Sequence, residues 1–198
     1  MKRRIIAIHG LMGHGKDTLG CFIASNIRIR RRIKKSFALK VKENVSNITG
    51  VHLGYTFTSF YDNQVFDFTR DQKNRYLDEW GMTLGEMLQR YATEACRDNI
   101  CEDVWIKPLI REMRSSEDVY IITDLRFENE VLALKEMGAV LVKVIRPNYS
   151  GDEKRDVNHK SEKGLPNEMF DHIVINDGDR VDLANKAKDI VSKNSLDD

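Results

Sequence analysis

Apolar residues in this chain fall into two spacings, and each spacing predicts a different element. Short apolar runs rich in β-branched residues occur at Ile5–Ile8, Val119–Thr123, Val140–Ile145 and His172–Ile175. Runs of this length, bounded by glycine, proline or charge, suit strands buried on both faces. Between them, apolar positions recur at helical spacing. Leu19, Phe22, Ile23 and Ile27 predict a helix over Asp17–Ile27. Thr83 followed by Glu86 is a capping box, which predicts a helix running to about Asn99. A further helix is expected over Val104–Arg114, with Pro108 tolerated near its start. Glu128–Met137 reads as a helix stopped by Gly138. Val181–Lys193 reads as a closing helix, with Asp179 and Asp182 available to cap it. Ser36–Val41 reads as a second short strand, and Val45–Tyr61 has no period that assigns it. Asn148–Pro166 is polar, a lid candidate, and the tail Asn194–Asp198 is expected to fray.

Strands alternating with helices predict an α/β fold around a parallel sheet. The 198 residues suit one domain with an insertion. A chain this long hides roughly 70% of its unfolded surface. A hydrophobic fraction of 41% and a charged fraction of 32% describe a soluble globular protein. The net charge of +1 supplies no global field for DNA or an anionic membrane. The local exception is Arg28–Lys35, with six basic residues in eight. It is read first as a solvated helix end or loop, and second as a wall that attracts phosphate or nucleic acid. Cys21, Cys96 and Cys101 have no metal-ligand spacing and read as reduced thiols. The run Ile5–Ile8 is too short for a signal sequence or a membrane span, so a cytoplasmic protein is expected.

The segment Gly10-Leu11-Met12-Gly13-His14-Gly15-Lys16-Asp17-Thr18 carries the chemistry. Its spacing is that of a phosphate loop between a strand and a helix. Glycines let consecutive amides converge on one anion, and the helix start adds its dipole. Lys16 contributes a charge for the β- and γ-phosphates of ATP. Asp17 stands where serine or threonine is expected and the hydroxyl comes one residue later, so Thr18 or Asp17 is a candidate for Mg2+. Asp124, at the end of an apolar run, has the form of the carboxylate that faces magnesium from the sheet edge. Arg126 could grip a phosphate bidentately, or pair with Glu128 or Glu130 on the surface.

These segments resemble the deoxynucleoside monophosphate kinases of bacteriophages, a branch of the P-loop kinases related to adenylate kinase. The resemblance rests on Gly15–Thr18, on Ser36-Phe37-Ala38 with Lys40, Lys42 and Glu43, and on Leu88–Glu94 with Arg97 and Trp105. It rests also on Asp124–Glu130, Arg146-Pro147 and His159–Glu162. It implies a three-layer fold with a five-stranded parallel sheet, a substrate-binding helical region at about 40–115 and a lid at about 147–166. It implies transfer of a phosphoryl group from ATP to a deoxynucleoside monophosphate in the cytoplasm, that of a host if the source is viral.

The roles this implies are specific. Gly13, His14, Gly15, Lys16, Asp17, Thr18 and Arg146 bind ATP; Thr18, Asp17 and Asp124 organise Mg2+. Lys42, Arg70, Arg126, Glu130 and Trp105 face the acceptor, and Lys16, Arg126 and Asp124 carry catalysis. Arg155 is a second arginine that could close over ATP. A homodimer is compatible with the sequence. Two rivals use the same residues: a kinase for another small phosphorylated metabolite, and a nucleotide-dependent nucleic-acid-binding module built on Arg28–Lys35. The near-zero net charge counts against nucleic acid as a partner.

Overall fold

The computed structural model describes residues 4–28, 30–56, 59–147, 149 and 164–196. Most of the expected lid, including Arg155 and His159–Glu162, lies outside the described residues. The chain divides into two compact units. Met1–Lys35, Ser59–Asn63 and Ser115–Asp198 form the first; Ser36–Thr58 and Gln64–Arg114 form the second.

The first unit is built on β1 (Ile5–His9), β2 (Arg32–Lys35), β7 (Val119–Leu125), β8 (Val140–Ile145) and β9 (His172–Ile175). They form one sheet in the order β2-β7-β1-β8-β9, and every neighbouring pair is parallel. Ile6, Ile8, Ile121, Ile122, Val140 and Val142 are fully buried. Each such side chain contributes roughly 1.5–3 kcal/mol by leaving water. Helices α1 (Lys16–Ser25), α6 (Glu128–Glu136) and α7 (Arg180–Lys193) belong to this unit. Asp179 alone caps α7, its Oδ1 accepting from Val181 and Asp182 N–H at 2.8 and 2.9 Å. Asp182 instead pairs with Lys186 one turn on, at 2.6 Å. Leu196 is fully buried, so the start of the tail packs rather than frays.

Two expectations fail at the sheet edge. The second strand is Arg32–Lys35, inside the basic run, and not Ser36–Val41. Residues from Leu39 instead open helix α2 (Leu39–Thr49). The reason is tertiary. Only Ile33 of β2 is buried, so the strand has no hydrophobic run to read. It forms because β7 offers a free edge and because Asp62 and Asn63 bracket its other side. Asp62 Oδ2 accepts from Arg32 N–H at 2.7 Å, and Asp62 N–H donates to Arg32 O at 2.8 Å. Asn63 accepts from Lys34 N–H at 2.9 Å and donates to Lys34 O at 3.1 Å.

The second unit contains α2, β3 (Gly54–Thr56), β4 (Val65–Asp67), α3 (Arg70–Asn74), β5 (Tyr76–Leu77), β6 (Met82–Thr83), α4 (Leu84–Arg90) and α5 (Ile106–Arg114). Its core gathers Val41, Val45, Phe68, Leu77, Leu84, Cys96 and Trp105. The Thr83–Glu86 capping box is formed in both directions, and Thr69–Gln72 forms a second one. After α4 the chain does not continue as α-helix. Tyr91–Arg97 is a π-helix, with Asp98 N–H donating to Thr93 O and Cys101 N–H to Cys96 O, five residues back.

Candidate active site

The glycine loop lies where the topology of a parallel sheet places ligands. From β1 the chain crosses towards β2; from β8, its neighbour in the sheet, it crosses the other way to β9. A crevice opens beyond the carboxyl ends where such crossings diverge. The loops after β1 and β8 meet there. Gly13 and Gly15 have φ of +79° and +95°, left-handed values that turn the loop into the start of α1. A Cβ on Gly10 would stand 2.6 Å from Val144 O, so the loop seats against β8 only with glycine there. His14 is buried, with Nδ1 3.2 Å from Val144 O. Asn176, which follows β9, donates from Nδ2 to His14 O at 2.9 Å. Tyr149 packs against Gly13, and the Arg146 guanidinium lies 5.3 Å from the Tyr149 ring centre. Arg146 thus lies beside the loop. No local sequence pattern marks Tyr149 or Asn176; only their position after strands of this sheet does.

Lys16 is buried and folds back so that Nζ donates to Leu11 O at 2.8 Å. The loop therefore holds its own cation in its concavity. Asp17 follows at the helix start, its side chain two-thirds exposed at 68%. Its Oδ1 accepts from Lys34 Nζ and from Thr123 Oγ1, both at 2.6 Å. Loss of part of its water to the surrounding loop would raise the Asp17 carboxyl, but the Lys34 charge beside it, the two hydrogen bonds and Lys16 together hold it below the usual carboxylate range. Thr18 is half-buried one residue on.

β7 carries an irregularity where it reaches this edge. Ala7 and His9 of β1 oppose Ile122 and Leu125, so β7 spends one extra residue across Thr123 and Asp124. A bulge of this kind re-aims the side chains at a strand end. Asp124 is half-buried there, beside the threonine that reaches Asp17. Glu130 follows on the next helix, α6. It is buried, and its Oε2 accepts from Arg126 N–H at 2.8 Å and Phe127 N–H at 3.1 Å. It fixes the turn through Arg126 and Phe127 that leads into α6.

His9 ends β1 beneath the loop. Its Nδ1 lies 2.9 Å from Leu125 O, and its Nε2 accepts from Leu165 N–H at 3.3 Å. This pair of contacts selects the neutral tautomer with the proton on Nδ1. Burial first, then the charges of Lys143, Lys16 and Arg126, push its pKa down to about 4.

The remaining expected residues belong to the second unit. Lys42 Nζ lies 3.0 Å from Asp67 Oδ2, and Lys73 Nζ lies 2.8 Å from Asp67 Oδ1. Burial raises the Asp67 carboxyl, but the two lysines outweigh it and hold it down. Arg70 opens α3, one turn before Lys73. Trp105 is buried in the core of this unit, and its Nε1 donates to Ala92 O at 3.0 Å. Its ring lies beside that of Tyr91, with the centres 6.1 Å apart.

Among the described residues, no group of three or more His, Cys, Asp or Glu side chains gathers to hold a metal. The oxygen donors at this edge, Asp17, Thr18 and Asp124, fit a hard cation that completes its shell with water and substrate phosphate, as magnesium does. No described helix is long and apolar enough to cross a membrane.

Known proteins place the chain. A family model described as "Deoxynucleotide monophosphate kinase" matches residues 55–187. The chain belongs to the deoxynucleotide monophosphate kinase family. That match begins after the glycine loop. The chain is 28% identical over 188 residues to a provisionally named deoxynucleotide monophosphate kinase of Acanthamoeba polyphaga mimivirus, covering 87% of this chain and 88% of the relative. It is 28% identical over 232 residues to the deoxynucleoside-5'-monophosphate kinase of Escherichia phage T5, covering 89% and 91%. It is 29% identical over 127 residues to the deoxynucleotide monophosphate kinase of Enterobacteria phage T4, covering 62% of this chain and 50% of that one.

Proposed function

We propose that this protein transfers the terminal phosphoryl group of ATP to a deoxynucleoside monophosphate, giving ADP and the deoxynucleoside diphosphate. The observation that carries the reading is the loop Gly10–Thr18. It opens at the sheet's ligand edge with left-handed glycines and a buried lysine folded into its own concavity. In this reading Lys16 leaves Leu11 O for the phosphates when ATP arrives. Loop amides from Gly13 to Thr18 take the phosphate oxygens, and Arg146 binds ATP from the loop after β8. Magnesium, held by Asp124 and Thr18 with Asp17 near, would neutralise charge on the β- and γ-phosphates when bound. Arg126, held by Glu130, stabilises the charge that spreads over the transferring group. Lys42 and Arg70 bind the acceptor phosphate. The transfer needs alignment and charge neutralisation, and no covalent intermediate.

A coupled ADP-release assay against each deoxynucleoside monophosphate, and each ribose counterpart, tests this. Release should depend on the acceptor. Lys16→Ala should lower turnover by at least about 10²-fold while the protein stays folded, and Arg126→Ala by on the order of 10³-fold. Turnover that survives Lys16→Ala, or a loss under about threefold in Arg126→Ala, would sink the respective assignment.

A further inference from the structure

We propose that Lys34 is a positioning residue of the phosphate loop: with Thr123 it immobilises and neutralises Asp17, and so lets an acidic residue stand at the mouth of a polyphosphate site. The inference rests on the ATP-binding reading above and adds a residue to it. Asp17 follows Lys16 at the start of α1, where a carboxylate would repel an incoming triphosphate. Lys34 Nζ and Thr123 Oγ1 both bind its Oδ1 at 2.6 Å, and Oδ2 has no hydrogen-bond donor among the described residues. The carboxylate is thus fixed from one side and open from the other. Its charge is met by a lysine whose own side chain is only 17% exposed.

The surrounding fold is arranged to hold Lys34 in that place. Its residue pairs in register with Ile121 of β7, two residues before Thr123. A Cβ on Gly20 of α1 would stand 2.8 Å from Thr123 Cγ2 and 3.5 Å from Ile121 Cγ2. The face that carries Ile121 and Thr123 therefore packs on α1, and glycine allows the close approach. The Asn63 amide grips the Lys34 backbone from both sides. Lys34 Nζ lies 5.7 Å from the Tyr61 ring centre, a cation–π placement on a buried ring. The Tyr61 hydroxyl is buried beside Gly20 with no hydrogen-bond partner among the described residues, and burial, with Cys21 and Asp17 near, pushes its pKa up. The residues Ser59–Asn63 thus brace a strand that has too few apolar side chains to hold itself.

A double-mutant cycle tests this, read as direct binding of ATP to the full chain in EDTA by calorimetry, without turnover. Lys34→Met should raise the Kd for ATP about tenfold, because it leaves the Asp17 charge uncompensated. Adding Asp17→Asn should bring the Kd back to within about threefold of wild type, and Lys34→Arg should keep most of the affinity. High salt should shrink the Lys34→Met effect, as screening predicts. Unchanged affinity in Lys34→Met, or a double variant no better than Lys34→Met alone, would overturn the inference; melting curves of each variant show whether lost folding explains the loss. Wild-type protein that fails to bind ATP would instead remove the reading on which the inference stands.

Discussion

At the scale of the residue, His9 shows how the site constrains stability. Its folded pKa of about 4 lies below the ordinary 6.5. Above that ordinary value neither folded nor unfolded chain holds the proton, and His9 adds no pH dependence. As pH falls below it, the unfolded chain takes a proton that the folded chain refuses, so stability drops by about 1.4 kcal/mol per pH unit. The loss levels off near the folded pKa at about 3 kcal/mol in total. Urea denaturation at pH 7 and pH 5 should show a loss of about 2 kcal/mol for wild type. His9→Asn should start less stable at pH 7 but lose much less between the two; an equal slope in both proteins would place the pH dependence elsewhere. Lys16, Asp17 and the loop glycines were legible because each has a backbone or charge role tied to fixed spacing. Lys34 was not, because it lay in a basic run whose members look alike until one is seen to touch Asp17.

At the scale of the element, local signals worked where the cause is local. The Thr83–Glu86 box, the Gly138 stop at φ +73° and the Asp179 cap are satisfied within a few residues of chain. Thr83→Ala should cost about 1 kcal/mol and lower Tm by about 2–4 °C in a chain of this size. Gly10→Ala is a sharper change. Its new Cβ would meet the Val144 carbonyl at 2.6 Å, a backbone atom that cannot turn aside. Nucleotide affinity should fall about tenfold or more, on the scale of a displaced first-contact group; an alanine loop that binds ATP normally would mean the loop does not depend on this seating. The π-helix at Tyr91–Arg97 was illegible. Its sequence carries ordinary helix formers, and a change from four- to five-residue hydrogen bonding leaves the composition untouched.

At the scale of the whole molecule, each unit has its own core, and Trp105 belongs to that of the second. Trp105→Ala should destabilise by about 3–5 kcal/mol, since it empties a large buried side chain. Trp105→Phe should keep KM for the acceptor within about threefold while lowering stability; a rise in KM without a stability change would restore the tryptophan to the acceptor. The sequence by itself determined that strands at Ile5, Val119, Val140 and His172 alternate with helices, and that a glycine loop with Lys16 follows the first. Those features need only short-range periodicity and the conformational freedom of glycine. Tertiary structure decided the rest: that Arg32–Lys35 is a strand, that Ser59–Asn63 braces it, and that Lys34 and Thr123 meet Asp17 across the sheet. These depend on contacts between residues from 17 to 106 positions apart. No local window reports such contacts, because the groups that satisfy each residue are supplied by the fold.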